Sequence, residues 1–108
     1  MASRHSATGT DNVLADLGFP DATELSAKAV LALRINQILG ARRMNDAAAA
    51  ARLGLPLSRL KALRQYKLRG LSLERLMRSL VALEQQVEIV VRRPQHRRAA
   101  GITATALR

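Results

Sequence analysis

The stripe Leu73, Leu76, Met77, Leu80 and Leu83 recurs at three- and four-residue intervals without a break, and it constrains the fold more than any other feature of the chain. On a helix of about 3.6 residues per turn these side chains share one face, and a single apolar face has to be covered by other elements. The cover must be aliphatic, because 48% of the residues are hydrophobic and only 2% aromatic. Leu, Ile, Val and Ala then supply the core, a composition suited to packed helices. Ser72 stands where its hydroxyl would cap the start of this helix. With 108 residues the chain has the length of one domain, and the expected class is all-α.

Upstream, Asp21 followed by Glu24 has the form of an N-cap with its capping box, opening a helix expected to run to about Gly40. Leu31, Ile35 and Ile38, flanked by Ala32 and Leu39, recur at helical spacing, with Arg34 and Gln37 on the other side. After Ala41-Arg42-Arg43, Asn45 is placed to cap a second helix containing the run Ala47 to Ala51. Alanine favours helix, and its small side chain lets another helix cross at close range. Gly54 can end this helix in the left-handed backbone region without steric cost. A third helix is expected over Leu57 to Gln65, and Tyr66 to Leu71, with Gly70, as the next connection.

From Gln86 to Arg92 the period changes: Val87, Ile89 and Val91 alternate with Glu88, Val90 and Arg92, which predicts a single β-strand. No second strand pattern occurs upstream, so its backbone groups would need a partner outside the chain. Pairing across the two-fold axis of a homodimer, through Val87, Ile89 and Val91, would supply it. At the ends, residues 1–11 and 95–108 are polar or basic without periodicity and read as disordered tails. A short turn around Val13, Leu14, Leu17 and Phe19 precedes Pro20, so the folded domain is expected over residues 12–94.

Eighteen Lys and Arg against eight Asp and Glu give a formal charge of +10, and the distribution is uneven. Residues 1–40 carry a net −1, residues 41–80 a net +8 and residues 81–108 a net +3. A positive field concentrated in this way attracts a polyanion. Charge alone does not choose between nucleic acid, an acidic lipid surface and a merely solvated basic face. No apolar run is long enough to span a bilayer and no secretory leader is evident, which leaves the cytoplasm as the expected compartment. The absence of cysteine rules out disulfides and thiolate metal sites. His5 and His96 have no ligand partner at helical spacing, and Asp11, Asp16 and Asp21 fit capping and solvation better than paired-carboxylate chemistry. Neither a nucleophile–base set nor a phosphate-cradling glycine loop is present, so no enzyme, metal, cofactor or small-molecule substrate is expected.

The segment Asp46 to Gln65 carries the chemistry: a short helix, a tight turn at Gly54 and a second short helix. Ala50, Leu53, Gly54, Leu55, Leu60 and Leu63 form its expected core, with Ala50 at the crossing point and Leu60 and Leu63 on the inner face of the second helix. A two-helix hairpin of any purpose satisfies this spacing, but the surrounding positive charge favours a helix-turn-helix on DNA. In that reading Leu57, Ser58, Arg59, Lys61, Ala62 and Gln65 meet base edges, where Arg or Lys can donate to guanine and Gln can pair with adenine. Arg42, Arg43, Asn45, Arg64, Lys67 and Arg69 are the phosphate candidates.

At these residues the chain resembles the Xre-type, lambda-repressor-like helix-turn-helix proteins, and more closely the HigA-type antitoxins of toxin–antitoxin operons. Asn12 to Ala22 resembles the family's N-terminal lead, Leu71-Ser72-Leu73-Glu74-Arg75-Leu76 its helix after the recognition helix, and Val87 to Arg92 with Pro94 its C-terminal end. The resemblance covers roughly residues 12–94. It implies a bundle of four to five helices with one C-terminal β-strand, autorepression by a homodimer on a palindromic double-stranded DNA operator, and a co-expressed toxin, commonly a RelE-like ribonuclease. Asp11, Asp16, Asp21 and Glu24 are the acidic residues available to such a cationic partner. The chain departs from the family's usual Thr-Gln and Gln-Pro-Lys, having Asn45-Asp46 at the start of the motif and Leu57-Ser58-Arg59 at the start of the recognition helix. Asp46 cannot donate to a phosphate and repels one, and Leu57 offers only apolar contact, for instance to a thymine methyl. A protein-interaction module that neutralises a toxin, with weak and largely electrostatic DNA binding, is the alternative function.

Overall fold

The computed structural model describes residues 21–94 and 101–106; the expectations placed on residues 1–20, on the side chain of Asp21 and on residues 95–100 and 107–108 lie outside that range. Helices α1 (Asp21–Ala41), α2 (Asp46–Leu53), α3 (Leu57–Arg64) and α4 (Leu73–Ala82) follow one another, and the all-α class stands. The leucine stripe behaves as its spacing requires: Leu76, Leu80 and Leu83 are buried and Leu73 and Met77 half-buried. α4 packs mainly against α1, α2 and α3 pack on each other, and α3 also meets α1 while α2 meets α4. The core sits where these helices converge. Ile35 and Leu39 of α1, Leu60 and Leu63 of α3, and Leu76 and Leu83 around α4 are fully enclosed, each contributing about 1.5–3 kcal/mol by leaving water.

Along α1 the enclosed line is Ala32, Ile35 and Leu39, while Leu31 and Ile38 lie half-buried at its margins. Leu55, Leu68 and Leu71 from the two connections close the gaps between helices. The core thus draws on loops as well as on helix faces.

Helix ends follow local chemistry closely. The Asn45 side chain accepts from the Ala48 amide at 2.8 Å and the Ser72 hydroxyl from the Arg75 amide at 3.0 Å, so two of the three expected caps are made; Asp21, the third, is instead the first residue of α1. Every described helix also closes with the same left-handed turn, at Arg43 (φ 54), Gly54 (φ 68), Tyr66 (φ 60) and Glu84 (φ 67). In each, the amide of the following residue returns five positions: Met44 to Leu39, Leu55 to Ala50, Lys67 to Ala62 and Gln85 to Leu80. This is the Schellman arrangement, which satisfies carbonyls the helix leaves open. Glycine occupies one of the four positions, and the other three carry the left-handed cost of a side chain, on the order of 1 kcal/mol each.

The C-terminal segment differs from expectation. Residues 86–92 form no strand: Val87 is half-buried against the core, while Ile89, Val90 and Val91 are exposed. The alternating pattern is real, but a β-ladder needs a second backbone beside it, and no strand is found among the described residues of the chain. Further on, Gly101 lies against the start of α1, where an added Cβ would stand 3.4 Å from the Thr23 methyl.

Candidate nucleic-acid interface

α2, the Gly54 turn and α3 form a helix-turn-helix. Asn45 starts it; Ala49 and Ala50 are buried where the helices approach. Leu53 and Leu55 close the turn against Leu60 and Leu63 of α3. Of the six residues expected to form the motif core, Ala50, Leu53, Leu55, Leu60 and Leu63 are buried, whereas Gly54 is exposed at the turn. An added Cβ at Gly54 would meet nothing within 4 Å, so glycine is needed there for its backbone angle alone.

With Leu60 and Leu63 turned into the core, α3 leaves Ser58, Lys61 and Gln65 exposed and Ala62 half-buried on the other side. Leu57, at the N-terminal end, is 46% exposed, an apolar side chain presented at the helix entry. Among the described residues, no ion pair or side-chain hydrogen bond engages Lys61, Lys67 or Arg43, all of which are exposed. Tyr66, 46% exposed, stands on the left-handed turn just beyond α3.

Several other candidates are held within the protein. Arg59 donates through Nη1 to the Gly70 carbonyl. Arg64 donates through Nη2 to the Met44 carbonyl at 2.8 Å. Its Nε lies 2.9 Å from Asp46 Oδ1, close enough for an ion pair although the N–H is not aimed for a hydrogen bond. Arg42 donates to the Leu83 carbonyl at 3.1 Å and pairs with Glu84 at 3.5 Å. Asn45 uses its side-chain oxygen as the cap of α2. Arg69 lines a shallow cavity with Glu24, Leu25 and Lys28 on the α1 side of the fold. Asp46, expected to repel phosphate, lies beside Arg64 within the motif.

Sequence reasoning missed the groups that tie these elements together. Arg52 donates to the Ala82 carbonyl at 2.9 Å and its guanidinium lies 3.8 Å from Glu84. Together with Arg42 it grips the C-terminal end of α4, where cations also favour the helix dipole. Asn36 of α1 donates to the Leu63 carbonyl at 3.2 Å. Lys28, nearly buried, is matched by Glu24 at 3.5 Å and the Leu68 carbonyl at 3.4 Å. The i, i+4 spacing of Glu24 and Lys28 was legible in the sequence; the long-range partners were not.

Two short helices crossing at a glycine turn, with the second presenting exposed polar side chains beside a basic surface, define a helix-turn-helix DNA-binding domain. The family model described as a helix-turn-helix domain matches residues 13–92. A solved structure described as a putative XRE-family transcriptional regulator is 49% identical, covers 82% of this chain and 100% of its own, and superposes with a TM-score of 0.72. The chain belongs to the XRE family of helix-turn-helix DNA-binding transcriptional regulators. No curated relative matches it. Among the described residues, no helix is long and apolar enough to cross a membrane.

Proposed function

We propose that the protein is a dimeric repressor that binds a palindromic operator in its own promoter and serves as the antitoxin of a toxin–antitoxin pair. The observation that carries the DNA reading is the outward face of α3, where Ser58, Lys61 and Gln65 are exposed beside the half-buried Ala62. Lys61 suits guanine, Gln65 adenine and Leu57 a thymine methyl, while Arg43 and Lys67 contribute to phosphate binding. Two copies joined through residues 86–92 would place two α3 helices one DNA turn apart, roughly 34 Å. The alternating, β-branched segment with Ile89, Val90 and Val91 exposed supports that joint, because its unpaired backbone edge could pair with the same edge of a second copy. A cationic ribonuclease toxin of the RelE type is the proposed second partner, held away from α3.

Titration of promoter and scrambled duplexes over a salt series tests this reading. A repressor prefers the promoter at every salt concentration, and equal affinity throughout would leave the toxin-neutralising module with electrostatic DNA binding. One observation favours that alternative: Arg42, Arg59 and Arg64 are all engaged within the fold, which lowers the charge free to meet phosphates.

A further inference from the structure

On α3, Leu60 and Leu63 mark the direction of the core. At about 100° per residue, Ser58 and Gln65 point directly away from it, and Lys61 and Ala62 lie about 50° to either side. Arg59 and Arg64 fall symmetrically on the two flanks, each about 110° from the outward direction. Each flank arginine reaches a different turn. Arg59 holds the Gly70 carbonyl in the connection after α3, and Arg64 holds the Met44 carbonyl in the connection before α2. A Cβ added at Gly70 would meet the Arg59 guanidinium, the mobile end of that side chain, and so displace it.

We propose that Arg59 and Arg64 are positioning residues that fix the rotation of α3 about its axis, leaving Ser58, Lys61, Ala62 and Gln65 as the side chains that read DNA. The proposal rests on the operator-binding reading for its consequence, not for its geometry. Core packing of Leu60 and Leu63 sets the mean direction of α3, but a small residual roll about its axis displaces every outward side chain together. Two braces on opposite flanks oppose roll in both directions. A guanidinium is suited to this, since its planar, permanently charged fork makes strong hydrogen bonds to carbonyl oxygens.

A base-reading arginine and a positioning arginine fail differently. Arg59→Ala is expected to lower discrimination by a common factor of about three to ten at every base pair read by α3, with the salt slope unchanged. Gly70→Ala, which displaces the same guanidinium, should give the same profile, and the double variant should be no worse than Arg59→Ala. Three results would overturn the proposal: an effect confined to one base pair, a salt slope lowered by about one for each phosphate no longer neutralised, or unchanged discrimination. Amide exchange in the free protein supplies an arm that needs no DNA. Arg59→Ala should speed exchange over Tyr66–Leu71, and Arg64→Ala over Arg43–Asp46, by at least about threefold. Unchanged rates would refute the braces, whereas a wild-type protein indifferent to promoter sequence would defeat the repressor reading and leave this arm to decide the braces.

Discussion

Lys61 and Gln65 differ from the neighbouring arginines in one respect that matters for recognition: among the described residues, no side chain or carbonyl competes for their polar ends. Alanine at either is expected to cost about 1–3 kcal/mol on the operator and little on scrambled DNA, measured by competition binding at fixed salt. Lys67→Ala and Arg43→Ala should instead weaken binding to all duplexes alike. Each should also lower the log–log salt slope by about one for every phosphate the dimer no longer neutralises. Asp46→Gln joins two effects, because it removes a negative charge at the start of α2 and releases Arg64 Nε from its carboxylate. Affinity should rise on promoter and scrambled DNA together. The pair is partly exposed, with side chains 29% and 43% accessible, so the change should cost less than about 1 kcal/mol of stability. A fall in affinity on both duplexes would show that the Asp46 carboxylate is needed to hold the motif.

Among the elements, the caps and the left-handed closures decide how securely each helix ends. Asn45→Ala and Ser72→Ala each remove one accepted amide hydrogen bond and should lower unfolding stability by about 1 kcal/mol, read from the urea midpoint. Gly54→Ala meets no steric obstacle but forces a side chain into φ 68, costing on the order of 1–2 kcal/mol. Tyr66→Gly relieves the same conformational cost at the end of α3 and should stabilise by up to about 1 kcal/mol. Glu84→Gly separates two effects, since it relieves φ 67 yet deletes the carboxylate between Arg42 and Arg52. Both ion pairs are solvent-exposed on the Glu84 side, so the conformational gain should nearly cancel or exceed their removal. The helices and their caps were legible because each depends on residues three to five positions apart. Asn45, Gly54 and Ser72 announce themselves by type; Arg43, Tyr66 and Glu84 do not, since no local preference marks them for the left-handed region.

For the whole molecule, the unpaired segment 86–92 sets the expected assembly. Ile89, Val90 and Val91 are exposed, and strand pairing with a second copy would satisfy the backbone groups of this segment. Sedimentation at micromolar concentration should show two chains, and Ile89→Pro should shift the equilibrium toward one by removing a donor and a compatible backbone angle. A wild-type monomer with undiminished operator affinity would refute the dimeric geometry. The grip of Arg42 and Arg52 on the end of α4 gives that helix end a fixed relation to the helix-turn-helix, because both arginines belong to elements within or beside the motif.

Residue type and spacing alone were enough to place the helices, the caps at Asn45 and Ser72, the glycine turn and the apolar faces that meet in the core, since these follow from a period of about 3.6 residues and from hydrogen bonds within a single turn. Burial of Ala50, Leu53, Leu55, Leu60 and Leu63 follows the same periodicity, because it is a matter of which side of a helix a residue occupies. What the arginines hold was settled by the packed fold and by nothing nearer. Arg42, Arg52, Arg59 and Arg64 find carbonyls 41, 30, 11 and 20 residues away, and a guanidinium binds a carbonyl, a carboxylate or a phosphate through the same donors. Which of these it meets depends on the approach of distant turns, which no local pattern records. The same holds for residues 86–92: alternation identifies a segment able to form a strand, and a strand exists only where another backbone lies alongside it.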